Sequence, residues 1–327
     1  MNPLQEVLRH LANTDKPFQL VKHIDDVPAD KIKYPMWGEK KYDGVFCAVL
    51  LHQGNQVAIS RTGKQFYDEV NDLLYPYIPH DCTETVLIGE LINKQCSLEV
   101  LSGLVNPNRI NAWDIDQRDL MKSIDIIFHD ILTFDDVLRG CSPVPFIERR
   151  LKVDALPYNT YKAEGRMLYS QAEFDLYAAA EIAAGGEGIV GKQLDANYEA
   201  GHKGYRVVKK VRDLHVDLKC LAVETGKGKR TGQIAKLQFK YKQKLFWADL
   251  GEGWTDEKRI KLTDDWKISK EWEGADSSES ELSGYYQSLT PVGKIFHLKA
   301  LQESSKGVLR LPKVMERRID KFVEDVT

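Results

Sequence analysis

The chain has 327 residues, of which 46 are Lys or Arg and 49 are Asp or Glu, so its formal net charge is −3. This balance excludes a chain that is basic throughout, and no apolar run approaches the length of a membrane-spanning helix. The five cysteines are scattered without a CxxC pair and the eight histidines form no HExxH motif, which argues against a disulfide framework and a cysteine-based zinc site.

The first part of the chain combines helical and strand patterns. Its N-terminus predicts an amphipathic helix, not a signal peptide, so we expect a protein of a cytoplasmic compartment that makes no membrane contact. Residues 102–118 contain Gly, Pro and three Asn and predict a polar loop. The further elements that the pattern predicts are strands at 45–52, 56–60, 85–92, 123–132, 188–193 and 204–211, and helices at 146–156 and 170–182.

From residue 215 onwards the pattern is almost entirely that of β-strands, except for a loop predicted at 273–284. Five strand-like runs in about a hundred residues suit a small barrel of the oligonucleotide/oligosaccharide-binding (OB) type. We therefore predict an α+β domain followed by an all-β OB-fold domain. The five runs are 216–225, 234–241, 244–251, 294–301 and 308–314.

The residues that carry chemistry form an ordered series of short motifs. The first is Lys41-Tyr42-Asp43-Gly44, and such a KxDG tetrapeptide alone is a weak signal, because it can equally be a surface turn. The motifs that follow it in order are Ser60-Arg61-Thr62-Gly63, Gly89-Glu90, Phe128-His129-Asp130, Glu187-Gly188-Ile189-Val190-Gly191-Lys192, Lys209-Lys210 and Arg318-Ile319-Asp320-Lys321.

The order and spacing of these motifs over residues 37–321 resemble the covalent nucleotidyltransferases, which comprise ATP-dependent DNA ligases, RNA ligases and mRNA capping enzymes. The small two-domain DNA ligases of bacteriophages are the most similar group. The resemblance implies a nucleotidyltransferase (adenylation) domain at 1–213 and an OB-fold domain at 214–327. It implies ATP as adenylate donor, Mg²⁺ or Mn²⁺ as metal and nicked double-stranded DNA as substrate, in the host cytoplasm if the chain is of phage origin.

The chemistry of nick sealing explains why such a series needs a lysine. An amine that holds AMP as a phosphoramidate divides one difficult displacement into easier steps, and the amine must be neutral to attack. By the resemblance, Lys41 is this nucleophile. Lys40 points to the opposite face of an extended segment, so we assign it no catalytic role. The stretch before Lys41 is too short for the extra domain of NAD-dependent ligases, so we expect ATP and not NAD as the donor.

The resemblance assigns further residues to the nucleoside and the metal. Glu39 would lie beside adenine N6, and Phe128 would stack on the base, with His129 as the alternative. Glu90 and Glu187 would supply carboxylates for the metal or the ribose, because divalent cations of this kind prefer hard oxygen ligands.

Other motif residues would serve the phosphates. Lys192 and Lys209 would neutralise the α-phosphate, and Arg61 would meet the 5′-phosphate of the nick, since an arginine fork suits phosphate geometry. Asp43 would help to assemble the later steps, and Gly44 belongs to the same nucleotide-binding motif.

The C-terminal motif would act on the leaving group. By the resemblance, Arg318, Asp320 and Lys321 orient the pyrophosphate when the second domain closes over ATP. We expect a monomer, because the chain would cover its substrate by such closure and shows no coiled-coil heptads.

Three departures from the family pattern stand out. The fifth position after the nucleophile is commonly Arg in DNA ligases and is Phe46 here. The late Lys-x-Lys motif has Val207 in its first place, so either Lys209 or Lys210 can be its second lysine. Asp130 is preceded by His129 and not by the usual aromatic residue.

Two interpretations compete with a DNA ligase. An RNA ligase or an mRNA capping-type nucleotidyltransferase uses the same nucleophile, and Phe46 keeps that alternative open. A non-catalytic nucleic-acid-binding protein with a vestigial enzyme domain is the alternative from another class. The GxxxxGK match at 186–192 is not a phosphate-binding loop, because Gln193 replaces the required Ser or Thr and the segment leads into a strand.

Basic side chains in the second domain can track a phosphate backbone without reading sequence, as a nick sealer requires. The alternative is an ordinary solvated strand face. These side chains are Lys227, Lys229, Arg230, Lys236, Lys240, Lys242 and Lys244.

Overall fold

The chain separates into two units, Met1–Val211 (unit 1) and Arg212–Thr327 (unit 2). Among the described residues, none of the helices has both the length and the apolar character needed to cross a bilayer. The residues that the computed structural model describes are 2–77, 82–157, 161–273, 280–304 and 306–325.

Unit 1 contains most of the helices and eleven of the strands found among the described residues. Its helices are α1 (Pro3–Asn13), α2 (Asp68–Leu74), α3 (Leu98–Leu104), α4 (Ile115–Met121), α5 (Phe134–Arg139), α6 (Phe146–Asp154) and α7 (Gln171–Ala183). Its strands are β1 (Lys22–His23), β2 (Met36–Lys40), β3 (Val45–His52), β4 (Asn55–Ile59), β5 (Thr85–Asn93), β6 (Ile124–Thr133), β7 (Cys141–Ser142), β8 (Gly165–Leu168), β9 (Gly188–Gln193), β10 (Tyr198–Glu199) and β11 (Val207–Val211).

Two sheets form the body of unit 1. One is antiparallel with the strand order β4-β3-β5-β6. The other has the order β1-β11-β9-β2-β8, in which only the short β1–β11 pair is parallel. Strand β3 reads Val-Phe-Cys-Ala-Val-Leu-Leu-His and is buried over nearly its whole length, because both faces of its sheet are covered.

Helix α1 covers one face of the four-stranded sheet. It begins with Pro3 behind the N-cap Asn2, whose side chain accepts a hydrogen bond from the Leu4 amide at 3.0 Å. Its apolar side is buried as the spacing predicts, in a core shared with Phe46 and Leu50. The predicted N-terminal helix is therefore confirmed, and its buried side chains are Leu4, Val7, Leu8 and Leu11.

Unit 2 is built around a six-stranded sheet of order β12-β16-β19-β15-β14-β13. Its strands are β12 (Leu214–Lys219), β13 (Ala222–Thr225), β14 (Ile234–Tyr241), β15 (Lys244–Leu250), β16 (Ile295–Ala300), β17 (Gln302–Glu303), β18 (Leu309–Arg310) and β19 (Lys313–Arg317). Its helices are α8 (Asp256–Glu273) and α9 (Ser280–Leu289).

The topology of unit 2 requires its sheet to curl. The edge strands β12 and β13 are consecutive in the chain and are joined only by Cys220 and Leu221. Six flat strands would hold their edges about 24 Å apart, whereas this connection reaches at most about 11 Å. The Leu221 amide bonds to Gln238 of β14 at 2.8 Å and the Cys220 amide to Lys294 at 2.9 Å, so the two edges meet at this connection. The sheet thus wraps around its apolar interior, as a small barrel does.

Three sequence predictions are corrected. Unit 2 is rich in β-structure but not all-β, because α8 and α9 interrupt the strands; α8 was missed since its sequence is charge-rich and buries few apolar side chains. The loop predicted at 273–284 lies partly outside the described residues, and from Ser280 onwards it is helical. The polar loop predicted at 102–118 is shorter than expected, because α3 and α4 enter it from either side.

Candidate active site

A cleft in unit 1 is lined by side chains of both sheets. The four-stranded sheet contributes through β3, β5 and β6, and the five-stranded sheet through β2, β9 and β11. Residues predicted from separate motifs come together here. Those that line the cleft are Glu39, Lys41, Arg61, Glu90, His129 and Lys192.

Lys41 directly follows β2, and its surroundings are set by the pairing of β2 with β9. The Lys41 amide donates to the Gly188 carbonyl at 2.8 Å, and its Nζ donates to Glu187 Oε2 at 2.7 Å. The Glu187 side chain is 6% exposed and that of Lys41 22%. Lys40 has a different partner, Glu181, at 3.7 Å. Only Lys41 of the two therefore forms an ion pair with a motif carboxylate.

A second carboxylate, Glu90 of β5, lies beside this pair. The pKa of Glu90 is raised to about 7, chiefly by burial; the Lys41 and Arg61 cations oppose this rise, and the carboxylates of Glu187 and Asp43 add to it. Near neutral pH, a carboxyl group with such a pKa is present partly as the neutral acid and partly as the carboxylate. The site therefore has one carboxylate paired with Lys41 and another whose charge depends on its neighbours.

Gly44 leaves no room for a side chain. A Cβ built at Gly44 would lie 2.3 Å from the Leu91 carbonyl oxygen and 2.5 Å from Glu90 Cγ. Neither distance is physically possible for a side chain, and the first involves backbone of β5. The chain after Lys41 therefore packs directly onto the strand that carries Glu90.

Lys192 and Glu39 form a buried charge cluster with Arg150. Lys192 Nζ lies 2.8 Å from Glu39 Oε2, and Arg150 Nη1 lies 3.3 Å from Glu39 Oε1. Burial raises the pKa of Glu39 above its ordinary value, although both cations oppose this. Lys192 Nζ also donates to the His129 carbonyl at 2.8 Å. One side of the cleft is thus held in place by ion pairs that are themselves hydrogen-bonded, as buried charges require.

The structure corrects the prediction for Phe128. Its side chain is fully buried in the core on the face of the sheet away from the cleft, so it is not placed to stack on a base there. Ile88 pairs with Asp130 and Gly89 with Phe128, which leaves His129 as the extra residue of a β-bulge. His129 lines the cleft instead, and burial together with the Lys192 ammonium holds its pKa well below the ordinary value. The alternative named from the sequence is thus the residue that faces the cleft, as a neutral ring.

Phe46, the departure from the usual arginine, supports Arg61. The Arg61 guanidinium carbon lies 4.4 Å from the centre of the Phe46 ring, within the range of a cation–π contact. Phe46 itself is buried against Phe18, with 4.7 Å between ring centres. The ring therefore supports the guanidinium at the mouth of the cleft.

Strand alternation gives Lys209 and Lys210 different surroundings. Lys210 Nζ lies 2.6 Å from Asp175 Oδ1 on α7. Burial, followed by the cationic charge of Lys41, lowers the pKa of Lys209 from its ordinary value, and Glu187 opposes this. Lys209 therefore shares the electrostatic environment of Lys41, and Lys210 lies on the helix side of its strand.

The C-terminal motif residues lie together in unit 2, where Asp217 of β12 joins two of them. Arg318 Nη1 and Lys321 Nζ donate to the same oxygen, Asp217 Oδ2, at 2.6 and 2.9 Å. Arg318 also holds Asp320 through two hydrogen bonds of 2.9 and 2.7 Å. The motif directly follows β19, and Ile319 and Asp320 form a turn.

The basic residues predicted along unit 2 are partly neutralised. Lys236 has an ion pair with Glu224 at 3.4 Å, and Arg230 has one with Asp256 at 2.6 Å. Strand β14 ends at Tyr241, so Lys242 does not share a strand face with Lys236 as expected. Its φ of 40° places it in the turn before β15.

Sequence reasoning missed two arginines of α6. Arg150 forms an ion pair with Glu39. Arg149 forms a buried bidentate salt bridge with Asp130, with Nε–Oδ1 at 2.8 Å and Nη2–Oδ2 at 3.1 Å. Both guanidinium groups are almost fully buried. The available signal was their position on the inward side of a short helix, where an arginine needs a carboxylate partner.

The donor set defines what metal chemistry fits the cleft. Among the described residues, no three His, Cys, Asp or Glu side chains converge as a metal site. Glu90 and Glu187 give at most two carboxylates, which is too few for a cage made by the protein alone. Mg²⁺ is commonly held by one or two carboxylates together with substrate phosphates and water. The residues therefore fit a metal that arrives with a nucleotide.

Comparisons with known proteins agree with the geometry. The family described as ATP dependent DNA ligase domain matches residues 18–210. A probable DNA ligase of Streptomyces avermitilis is 30% identical over 210 residues, which cover 61% of this chain and 39% of that protein. A probable DNA ligase of Streptomyces griseus is 31% identical over 215 residues, with 61% and 40% covered. The matched part thus spans about two fifths of the length of these curated relatives.

Solved structures extend the likeness to both units. The structure named Pmar-Lig_PreS3 has a TM-score of 0.67 at 19% identity and covers 92% of this chain and 67% of its own. A structure from work on Lig E DNA ligases has a TM-score of 0.59 at 16% identity and covers 93% of this chain and all of its own. At these identities the likeness shows a shared fold. It confirms the predicted class of a nucleotidyltransferase domain followed by a β-rich domain of the OB type.

Proposed function

This chain belongs to the family of ATP-dependent DNA ligase domains, and from that premise we propose that it seals nicks in duplex DNA through a lysyl-AMP intermediate. The observation that carries the proposal is the position of Lys41, whose Nζ lies 2.7 Å from Glu187 in a cleft that Glu90 and Lys192 also line. The proposal assigns unit 1 to nucleotide transfer and unit 2 to DNA and to the leaving group.

The first step is formation of a phosphoramidate. Lys41 Nζ loses a proton, and Glu187 Oε2 at 2.7 Å is placed to accept it. The neutral amine forms a nitrogen–phosphorus bond to the α-phosphate of ATP, and the bond from that phosphorus to the bridging oxygen of pyrophosphate breaks. Lys209 increases the positive charge around this phosphate, and the attack needs little more than positioning and charge.

The later steps transfer AMP to the nick and close it. The 5′-phosphate oxygen of the nick displaces Lys41 from the adenylate, and the 3′-hydroxyl then displaces AMP to form the phosphodiester. We propose that Arg61, supported on Phe46, receives the 5′-phosphate and that Asp43 helps to assemble these steps. The fork of a guanidinium suits the phosphate that must be held in both.

Other residues of the cleft would select the nucleotide. His129 presents a neutral ring, which suits stacking on the base, in place of the buried Phe128. Glu39 would face adenine N6 while Lys192 and Arg150 fix its carboxylate. Glu90 and Glu187 would hold Mg²⁺ or Mn²⁺ together with the phosphates of ATP, where the cation would offset the charge of the transferred group.

The proposed part of unit 2 is to orient the pyrophosphate and to bind DNA. We propose that Arg318, Asp320 and Lys321 act on the leaving group. Lys227 and Lys229 of the Gly-rich loop after β13 would contact phosphates of the duplex without reading its sequence.

Intact mass spectrometry tests the proposal directly. Wild-type protein incubated with ATP and Mg²⁺ should gain an AMP-sized adduct. Lys41→Ala should gain none, whereas Lys40→Ala, which alters the adjacent lysine, should behave as wild type. Adduct formation with GTP or NAD but not with ATP would contradict the proposed donor.

The substrate needs a second assay. Sealing of a nicked DNA duplex should exceed sealing of a matched nicked RNA duplex, and Lys41→Ala should still seal DNA that was adenylated beforehand. If RNA nicks are sealed preferentially, the enzyme is an RNA ligase that uses the same nucleophile.

A further inference from the structure

Asp217 is the centre of a charge network in unit 2. Its Oδ2 accepts from Arg318 Nη1 at 2.6 Å and from Lys321 Nζ at 2.9 Å. Its other oxygen, Oδ1, lies 2.7 Å from His297 Nδ1. One carboxylate therefore fixes two cations that lie on either side of a turn in the same C-terminal segment.

Hydrogen bonds with the backbone of β12 hold that segment alongside this strand. The Asp217 amide donates to Asp325 Oδ2 at 2.7 Å, and the Asp325 amide donates to the Asp217 carbonyl at 2.8 Å. The Lys219 amide donates to Glu324 Oε2 at 3.0 Å. Because these contacts use the backbone of β12, they do not depend on the carboxylate of Asp217.

The side chain of Asp217 is buried, whereas those of Arg318 and Lys321 are partly exposed. Asp217 is 7% exposed, whereas Arg318 is 29% and Lys321 30% exposed. The carboxylate thus lies beneath the two cations, and the cations keep part of their surface toward solvent. Asp320 also contacts Arg318, and Asp325 also contacts Lys321. A guanidinium and an ammonium held side by side, each with part of its surface exposed, can receive a multiply charged phosphate.

We propose that Asp217 is a positioning residue for adenylate transfer, which holds Arg318 and Lys321 together so that they receive the pyrophosphate leaving group as one unit. The inference rests on the proposed function, because it requires those two cations to act on pyrophosphate. Long basic side chains have many rotamers when free, and fixing them before the reaction removes that entropic cost from the chemical step. Asp217 also offsets the repulsion between the two positive charges.

Asp217→Asn is the variant that isolates this role. It keeps the volume, the backbone contacts with Asp325 and one acceptor for His297, but it turns an amide NH₂ toward the two cations. Asp249→Asn is the matched control, because Asp249 has an ion pair with Lys313 at 2.7 Å on the same sheet and no motif residue as partner. Asp217→Glu keeps the charge and displaces the oxygens, so it separates position from charge and serves if Asp217→Asn does not fold.

Two rates are measured for each variant, formation of the enzyme–AMP adduct from ATP and sealing of pre-adenylated nicked DNA. Asp217→Asn should slow adduct formation by about tenfold or more and leave sealing within about twofold of wild type. The rate of adduct formation by Asp217→Glu should lie between those of wild type and Asp217→Asn. Asp249→Asn should match wild type in both rates. In the Arg318→Ala background, Asp217→Asn should slow adduct formation by a smaller factor than in wild type, since part of its effect passes through Arg318.

The outcomes separate the inference from the proposed function. Wild-type protein that forms no adduct would end both. If wild type forms the adduct but Asp217→Asn matches Asp249→Asn, or accelerates adduct formation, the positioning role is wrong while the proposed function stands. Equal losses in both rates with a lower melting temperature would make Asp217 a structural residue only, which also overturns the inference.

Discussion

Lys41 and Glu187 stand at the ends of two paired strands, and their side chains meet with Nζ 2.7 Å from Oε2. Lys41 follows the last residue of β2, and Glu187 precedes the first residue of β9, so the pairing of Lys40 with Ile189 places them across from each other. The ion pair favours the ammonium form, whereas attack on phosphorus needs the neutral amine. Glu187 therefore holds the proposed nucleophile in place and is the acceptor that we propose for its proton.

Replacement of Glu187 by Gln should slow formation of the enzyme–AMP adduct by about 10²-fold or more, because the amine loses both its orienting partner and a proton acceptor. Glu181→Gln is the control, since Glu181 pairs with the neighbouring Lys40 at 3.7 Å. Incorporation of labelled AMP at saturating ATP measures both variants. Equal rates in the two variants would remove Glu187 from the proposed chemistry.

Glu90 gives the protein a pH-dependent loss of stability. The ordinary pKa of 4.5 is raised to about 7 in the folded protein, chiefly by burial. Between these values the folded state binds more protons than the unfolded state, so stability falls as pH rises through this window. The contribution is favourable at the acidic end and fully lost above about pH 7.

The Glu90→Gln variant should lack this loss of stability with rising pH, because Gln does not ionise. The free energy of unfolding of the variant minus that of wild type should be larger at pH 8 than at pH 5, by on the order of 1 to 3 kcal/mol. Urea unfolding at several pH values, without divalent metal, measures the difference. Glu69→Gln, which changes an exposed carboxylate of α2, is the control. A stability difference for Glu90→Gln that does not change with pH would contradict the raised pKa of Glu90.

Strands with a clear local pattern and turn residues at their ends could be predicted almost exactly from the sequence. The runs at 45–52 and 234–241 became β3 and β14 with unchanged bounds. A continuous apolar run predicts β3, which is buried on both faces, and alternation of apolar and polar residues predicts β14. Helix α8 escaped prediction because its position depends on contacts with the sheet and not on an apolar stripe of its own.

At the candidate site, too, prediction from the sequence succeeded for some residues and failed for others. The motif order brought Lys41, Glu90 and Lys192 to one cleft and placed Glu187 against Lys41, since each lies in or directly beside a strand whose neighbours are set by the fold. The orientation of Phe128 and His129 depends on a β-bulge, which adds one residue to the strand and changes which side chain faces the cleft. Nothing in the letters of this one sequence marks a bulge.

Gly44 should tolerate no side chain. Gly44→Ala would place a Cβ 2.3 Å from the Leu91 carbonyl oxygen, so β5 would have to move away from the nucleophile. We expect a loss of roughly 1 to 3 kcal/mol in the free energy of unfolding, together with strongly reduced adduct formation. Gly103→Ala, in helix α3 with open space around its Cβ, should instead stabilise the protein by about 0.5 to 1 kcal/mol. Denaturant unfolding compares them, and a neutral Gly44→Ala would show that this approach is not needed.

Phe128 and His129 should separate stability from nucleotide binding. Phe128→Leu removes part of a fully buried ring and should cost roughly 1 to 2 kcal/mol of unfolding free energy with little change in the ATP concentration that half-saturates adduct formation. His129→Ala should leave stability within about 0.5 kcal/mol but raise that concentration by about tenfold, because the base loses its stacking partner. His129→Phe should restore binding, since an aromatic ring on the same bulge again faces the cleft. If Phe128→Leu weakens ATP binding and His129→Ala does not, the base stacks on Phe128 after all and the strand must shift its register when ATP binds.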